Sequence, residues 1–138
     1  ENKSVYTEWK DTSLAMNPLG INLLYRSINN GNYNLLIELD SNIHSYLDTE
    51  VDVFNNNYSD YVISKNVCEV NSINSNYGNS ILLEFEKPEE FKTKLNWNIY
   101  NNWDDGINRY EIQKLNENGQ WELFLPSENL NNSIIIDE

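Results

Sequence analysis

Two Asn-rich tetrapeptides constrain this chain more than any other feature. Asn29-Asn30-Gly31-Asn32 separates residues 21–28 from 33–39, and Asn116-Glu117-Asn118-Gly119 separates 110–115 from 121–125. The flanking runs are rich in β-branched and aromatic residues, and Asn and Gly accept the left-handed backbone that a tight hairpin turn demands. Both stretches therefore predict β-hairpins. Asparagine supplies 26 of the 138 residues and marks loops elsewhere, as at Asn55-Asn56-Asn57.

Further strands are expected between these loops, at 47–54, 60–67, 80–86 and 97–103. Ile134-Ile135-Ile136 reads as a last strand or a frayed end. Helix signals are sparser. Pro88 followed by Glu89, Glu90, Phe91 and Leu95 puts Pro and acids in a first turn, which predicts a short helix. Val5, Trp9 and Met16 stand loosely at helical spacing, and Pro18-Leu19-Gly20 would end a second one. The expected fold class is α+β: a mostly antiparallel β-sheet with several hairpins and one or two short helices packed on it. At this length it is expected to form a single globular domain over 1–138.

Charge narrows the function. The chain carries 22 acidic against 9 basic side chains, a net charge of -13, with one His and one Cys. So few nucleophiles, bases and metal ligands argue against an enzyme. Such acidity repels phosphate and anionic lipid, so neither direct nucleic-acid binding nor membrane binding is expected; it attracts a basic protein surface. No run approaches the roughly 18 apolar residues that a membrane span needs, and no basic-then-apolar signal segment opens the chain. One cysteine, Cys68, excludes an internal disulfide and fits a reducing, cytoplasmic location.

Strand periodicity turns the acids into candidate rows. In Leu47-Asp48-Thr49-Glu50-Val51-Asp52-Val53, alternation places Asp48, Glu50 and Asp52 on one face, about 7 Å apart. Leu47, Val51 and Val53 then face a core. Glu84 and Glu86 alternate in the same way with Leu83 and Phe85, and Asp104, Asp105 and Glu111 add acid near Trp103. A solvated sheet face accounts for such rows, and so does a docking strip for Lys and Arg of a partner.

Other chemistry finds little support. The calcium-loop pattern is absent, so neither a metal nor any other cofactor is expected. No nucleophile signature surrounds a Ser, His44 sits alone on a polar segment, and the five glycines form no phosphate loop. Carboxylate pairs of the kind that hydrolyse glycosides are inevitable in so acidic a chain and therefore uninformative. The four Trp and nine Tyr either fill a small core or build an exposed aromatic platform. Trp97, Ile99 and Trp103 share one strand parity, with Tyr100 on the other.

Three readings follow. The first is an acidic inhibitor of a basic protein, such as an immunity or antitoxin protein covering the active-site groove of a nuclease-type bacterial toxin. Small size, acidity and missing catalytic groups are similar to those of immunity proteins as a class, without a shared motif. Its partner-binding residues are expected to be Asp48, Glu50, Asp52, Glu84, Glu86, Asp104 and Asp105, with Trp103 as the buried anchor among them. A DNA-mimic inhibitor is a variant of this reading. The second is a carbohydrate-binding β-sandwich module, and the third an enzyme using the acidic strip as a metal site or acid–base pair.

Overall fold

The computed structural model describes residues 3–10, 20–68, 70–100, 107–127 and 132–137. Every regular element among them is a β-strand, and every strand pair is antiparallel. The chain divides into two compact units, Glu1–Leu82 and Leu83–Glu138.

The first unit contains a two-stranded sheet, β1 (Val5–Glu8) with β4 (Ser45–Asp48), and a four-stranded sheet. The latter holds β2 (Gly20–Ile28), β3 (Asn34–Asp40), β5 (Tyr58–Asn66) and β6 (Gly78–Asn79) in the order β3-β2-β5-β6. The first expected hairpin is present. Asn29 (φ 51°) and Asn30 (φ 59°) both take the left-handed conformation, and the Gly31 amide donates to the Ile28 carbonyl at 2.9 Å. Two consecutive positive φ angles match the right-handed twist of the flanking strands, and Asn bears them at little cost.

Cross-strand register sorts the four-stranded sheet into two faces. Asn22, Leu24 and Arg26 stand opposite Ser64, Val62 and Asp60 on one face. Leu24 is fully buried there and Val62 nearly so. This face meets the β1–β4 sheet through polar groups. Arg26 donates from Nε and Nη2 to the two Asp60 carboxylate oxygens, each at 2.8 Å, and from Nη1 to Asp48 at 2.6 Å. Thr7 donates its hydroxyl to Asp60 at 2.6 Å, and Asn22 donates its side-chain amide to the Ile43 carbonyl at 3.0 Å. The Arg26 guanidinium also lies over the Tyr58 ring, 5.1 Å from its centroid. Four strands thus converge on one buried ion cluster.

The outer edge of β5 is closed by an unusual ladder. Ser72, Ser75 and Ser80 each donate a backbone amide to β5, to the carbonyls of Ser64, Val62 and Tyr58. Each also accepts, on its hydroxyl oxygen, the amide of that same β5 residue at 2.9–3.0 Å. The serine hydroxyl replaces the carbonyl that a regular strand would offer, so residues 72–75 seal the edge without being a strand. The obligatory backbone groups of β5 are satisfied all the same.

In the second unit, β7 (Leu83–Glu89), β8 (Lys92–Trp97) and β11 (Ser133–Asp137) form a sheet ordered β11-β8-β7. The strand β9 (Tyr110–Leu115) pairs with β10 (Trp121–Ser127) as the second expected hairpin. Gly119 turns it at φ 76°, while the Asn116 side-chain oxygen accepts the amides of Asn118 and Gln120. Trp97, only 6% exposed, packs edge-on against Tyr110 at 5.5 Å.

The α+β expectation is corrected: the fold is all-β, with no helix among the described residues. Pro88 opens no helix. It sits in β7 at a register shift between Glu86 and Glu89, and residues 90–91 turn the chain into β8. Proline is tolerated at such an edge bulge because no ladder needs its missing N–H. Val5 and Thr7 alternate with exposed Tyr6 and Glu8 in β1, so period two prevails there; residues 11–19, including Met16, lie outside the described residues. The strand expected over 47–54 ends at Asp48. Trp97 closes β8 where a strand was expected to begin, and the stretch 80–86 contributes only its last residues to β7. The Ile134–Ile136 tail is paired, in β11 against β8.

Two stability effects follow. Phe91 holds φ 64° and is 69% exposed, so packing offsets little of the left-handed strain. Phe91→Gly is expected to stabilise the protein by about 0.5–1 kcal/mol in denaturant unfolding. Arg26→Leu strands the buried Asp60 and the half-buried Asp48 and is expected to cost about 3–5 kcal/mol in the same assay, whereas a loss below about 1 kcal/mol would show the cluster to be hydrated.

Candidate functional site

The acidic row expected over 48–52 does not form, because aspartate bonds its own backbone too readily. Asp48 ends β4 with its side chain only 13% exposed and committed to Arg26; its other oxygen accepts the Glu50 amide at 2.9 Å. Asp52 accepts the Phe54 amide and the Asn55 side-chain amide in the turn that follows. The Asn55 amide holds the Asp52 carboxyl below its ordinary range. These are local caps that compete with strand pairing. Of the three, Asp48 is internal, and Glu50 and Asp52 are exposed in the connection to β5.

The second row does form. Glu84 and Glu86 stand on one face of β7, Leu83 and Phe85 on the other, as the pairing with Asn96, Lys94, Trp97 and Leu95 of β8 requires. Every residue of β7 is exposed. Phe85 is 75% and Leu83 54% exposed. Glu86 lies 3.7 Å from Lys94, a solvated pair worth little, while Glu84 has no ion-pair partner among the described residues. Trp103, Asp104 and Asp105 lie outside the described residues.

His44 and Cys68 do not meet. His44 is half-buried with its ring 6.4 Å from that of Trp9, and Cys68 lies exposed in the turn after β5, not within a strand. No cluster of metal-ligating side chains occurs among the described residues. No helix among them is long and apolar enough to cross a membrane.

A groove of about 570 Å³ runs beside β1, lined by Thr7, Trp9, Asp60, Ser64, Ser72 and Ser75 among others. Its serine and threonine hydroxyls are already committed: Thr7 to Asp60, Ser64 to Asn22, Ser72 to the Ile73 carbonyl and Ser75 to the Asn76 carbonyl. Polar groups that already have partners offer a ligand little.

Sequence reasoning missed a tyrosine cluster on the other face of the four-stranded sheet. Tyr25 stacks on Tyr61, directly opposite in register, at 5.1 Å and 6°. Tyr33 and Tyr77 close on Tyr61 at 4.9 and 5.2 Å, and remain 36% and 39% exposed. The Tyr33 hydroxyl reaches Ser59 at 2.7 Å. Register places the exposed Glu38 and Asp40 of β3 on this same face, through Leu23 and Ile21. The result is a half-open aromatic patch with acids farther along the sheet.

No protein-family model matches the chain, and no curated protein matches it in sequence.

Partial burial pushes the Tyr61 phenol up, and the neighbouring phenols of Tyr25, Tyr77 and Tyr33 push it further. The folded protein holds this proton more tightly than the unfolded chain. Its contribution to stability is therefore complete below the ordinary tyrosine range and is lost as pH rises through the shifted value. Alkaline ultraviolet titration is expected to show a late-ionising phenol that Tyr61→Phe removes. Persistence of that step in the variant would assign it to a different ring.

Proposed function

We propose that this chain is an acidic protein-binding inhibitor of the immunity or antitoxin kind. It neutralises a basic, nuclease-type bacterial toxin in the cytoplasm by covering the toxin's active-site groove, and acts by binding without catalysis. The observation that carries this reading is β7, which stands exposed along its length with Glu84 and Glu86 side by side on one face. Alternate strand residues repeat roughly every 6.8 Å, so the two carboxylates present a short, fixed line of negative charge. The net charge of -13 adds a long-range field that accelerates encounter with a cation-lined groove. Phe85 and Leu83 on the reverse face supply apolar area that a contact would bury.

The tyrosine cluster favours a second reading, carbohydrate binding, because pyranose rings stack on exposed aromatic faces. A glycan array separates the two. Binding that Tyr33→Ala and Tyr77→Ala abolish would establish the saccharide reading.

The first reading is tested on a basic protein captured from the native strain at low salt and then purified. Stoichiometric binding is expected to weaken steeply with salt. Glu84→Lys combined with Glu86→Lys is expected to slow association about tenfold or more at low salt, with the circular dichroism of the fold unchanged. A partner without basic character, or an association rate indifferent to both salt and the reversal, would overturn it.

A further inference from the structure

The same strand carries a more specific consequence, which rests on the basic-partner reading above. β7 is an edge strand: it pairs with β8 on one side, and no described strand occupies the other. An uncovered edge is a template for one more strand, and natural proteins normally blunt it. Here Pro88 and the register shift between Glu86 and Glu89 end regular pairing, which leaves Leu83 to Glu86 as the usable run. The β5 edge in the first unit, by contrast, is sealed by Ser72, Ser75 and Ser80.

We infer that β7 binds its partner by strand addition, taking up an extended segment in which lysine or arginine alternates with apolar residues. An added strand lies about 4.8 Å from β7, and its side chains alternate between faces in step with those of β7. On one face its cations then stand beside Glu84 and Glu86; on the other its apolar residues cover Leu83 and Phe85, which are 54% and 75% exposed. Main-chain hydrogen bonds supply affinity and the alternating side chains supply selectivity. Lys94 already neighbours Glu86 from the β8 side, so the partner's cations approach from the open side.

The same charges disfavour pairing with a second copy of this chain. Pairing two β7 strands antiparallel about Phe85 sets Glu84 directly against Glu86 of the other copy, and like charges placed opposite each other on adjacent strands repel. A basic strand relieves that repulsion. The edge is therefore closed to itself and open to a cationic segment.

The probe is a capped octapeptide of alternating lysine and valine, titrated calorimetrically into the full chain at low salt. Two further peptides carry backbone N-methyl groups, one on all lysines and the other on all valines. In an antiparallel pairing, alternate residues direct their N–H groups toward or away from the neighbouring strand, so one methylated peptide is expected to lose binding and the other to stay within about threefold of the parent. Glu84→Gln with Glu86→Gln, which leaves side-chain size unchanged, is expected to weaken the parent about tenfold, and an alternating glutamate–valine peptide is expected not to bind.

If the parent peptide binds and both methylated peptides match it, strand addition is overturned while charge-directed binding stands. If the parent peptide fails to bind, strand addition is overturned as well, and the purified basic protein still decides the broader reading. Sedimentation of the chain alone as a dimer that Phe85→Asp dissolves would give the edge to a second copy and overturn the inference too.

Discussion

The first unit depends on Arg26. Its guanidinium reaches two carboxylates on two strands, and one of these, Asp60, also accepts the Thr7 hydroxyl. Through these bonds β1, β2, β4 and β5 meet at a single point. The apolar core is too small to do this alone: Leu23, Leu24, Tyr58 and Val62 are the buried hydrophobic residues described in this unit. A buried ion cluster is a weak source of net stability, since desolvation offsets most of the attraction, but breaking it leaves a charge stranded. Its geometric demands are also strict. A bidentate fork on Asp60 and a third donor on Asp48 fix the spacing of the two sheets more narrowly than Leu against Val would.

The cluster also shapes the surface. Arg26 is one of only nine basic residues, and it is spent inside. Lys92, Lys94 and Arg109 stand beside Glu89, Glu86 and Glu111. What the solvent meets is therefore dominated by uncompensated carboxylates. Self-repulsion of that kind works against a compact state and favours solubility. It also lets apolar side chains such as Ile73 and Phe85 remain exposed without inviting like-charged copies together.

How much was legible in the sequence followed the range of the interactions. Both hairpins were readable because Asn29, Asn30 and Gly119 carry the turn within a few residues. The pairing of β2 with β5 was not, since it joins residues thirty or more apart by register alone. The tyrosine cluster follows from that pairing and was hidden with it. The two acidic rows divided on side-chain length. Asp48 and Asp52 have short carboxylates that reach the amides of residues two ahead, so Asp48 ends a strand and Asp52 holds a turn. Glu84 and Glu86 are too long to favour that bond and remain in the strand. Counting acids at alternate positions treated the two as equivalent. The helix expected at Pro88 failed for a related reason: proline and acids suit a first helical turn, but they equally suit a guarded edge.

The two sheet edges are guarded in different ways. The β5 edge lies beside the ion cluster, where an open ladder would admit water to Asp60; β6 pairs with Ser59 and Asp60, and serine hydroxyls close the edge on either side, at Tyr58, Val62 and Ser64. A regular strand would have served as well for hydrogen bonding. The serine form differs in that each residue satisfies both groups of its β5 partner by itself, so the intervening residues 73, 74 and 76 need not keep strand register and are free to form the groove wall. Among the described residues β7 has no such cover and no ion cluster to protect. Its guard is electrostatic, and a guard of one sign discriminates where a physical seal does not. A seal refuses every strand, whereas a row of glutamates refuses only those that fail to neutralise it.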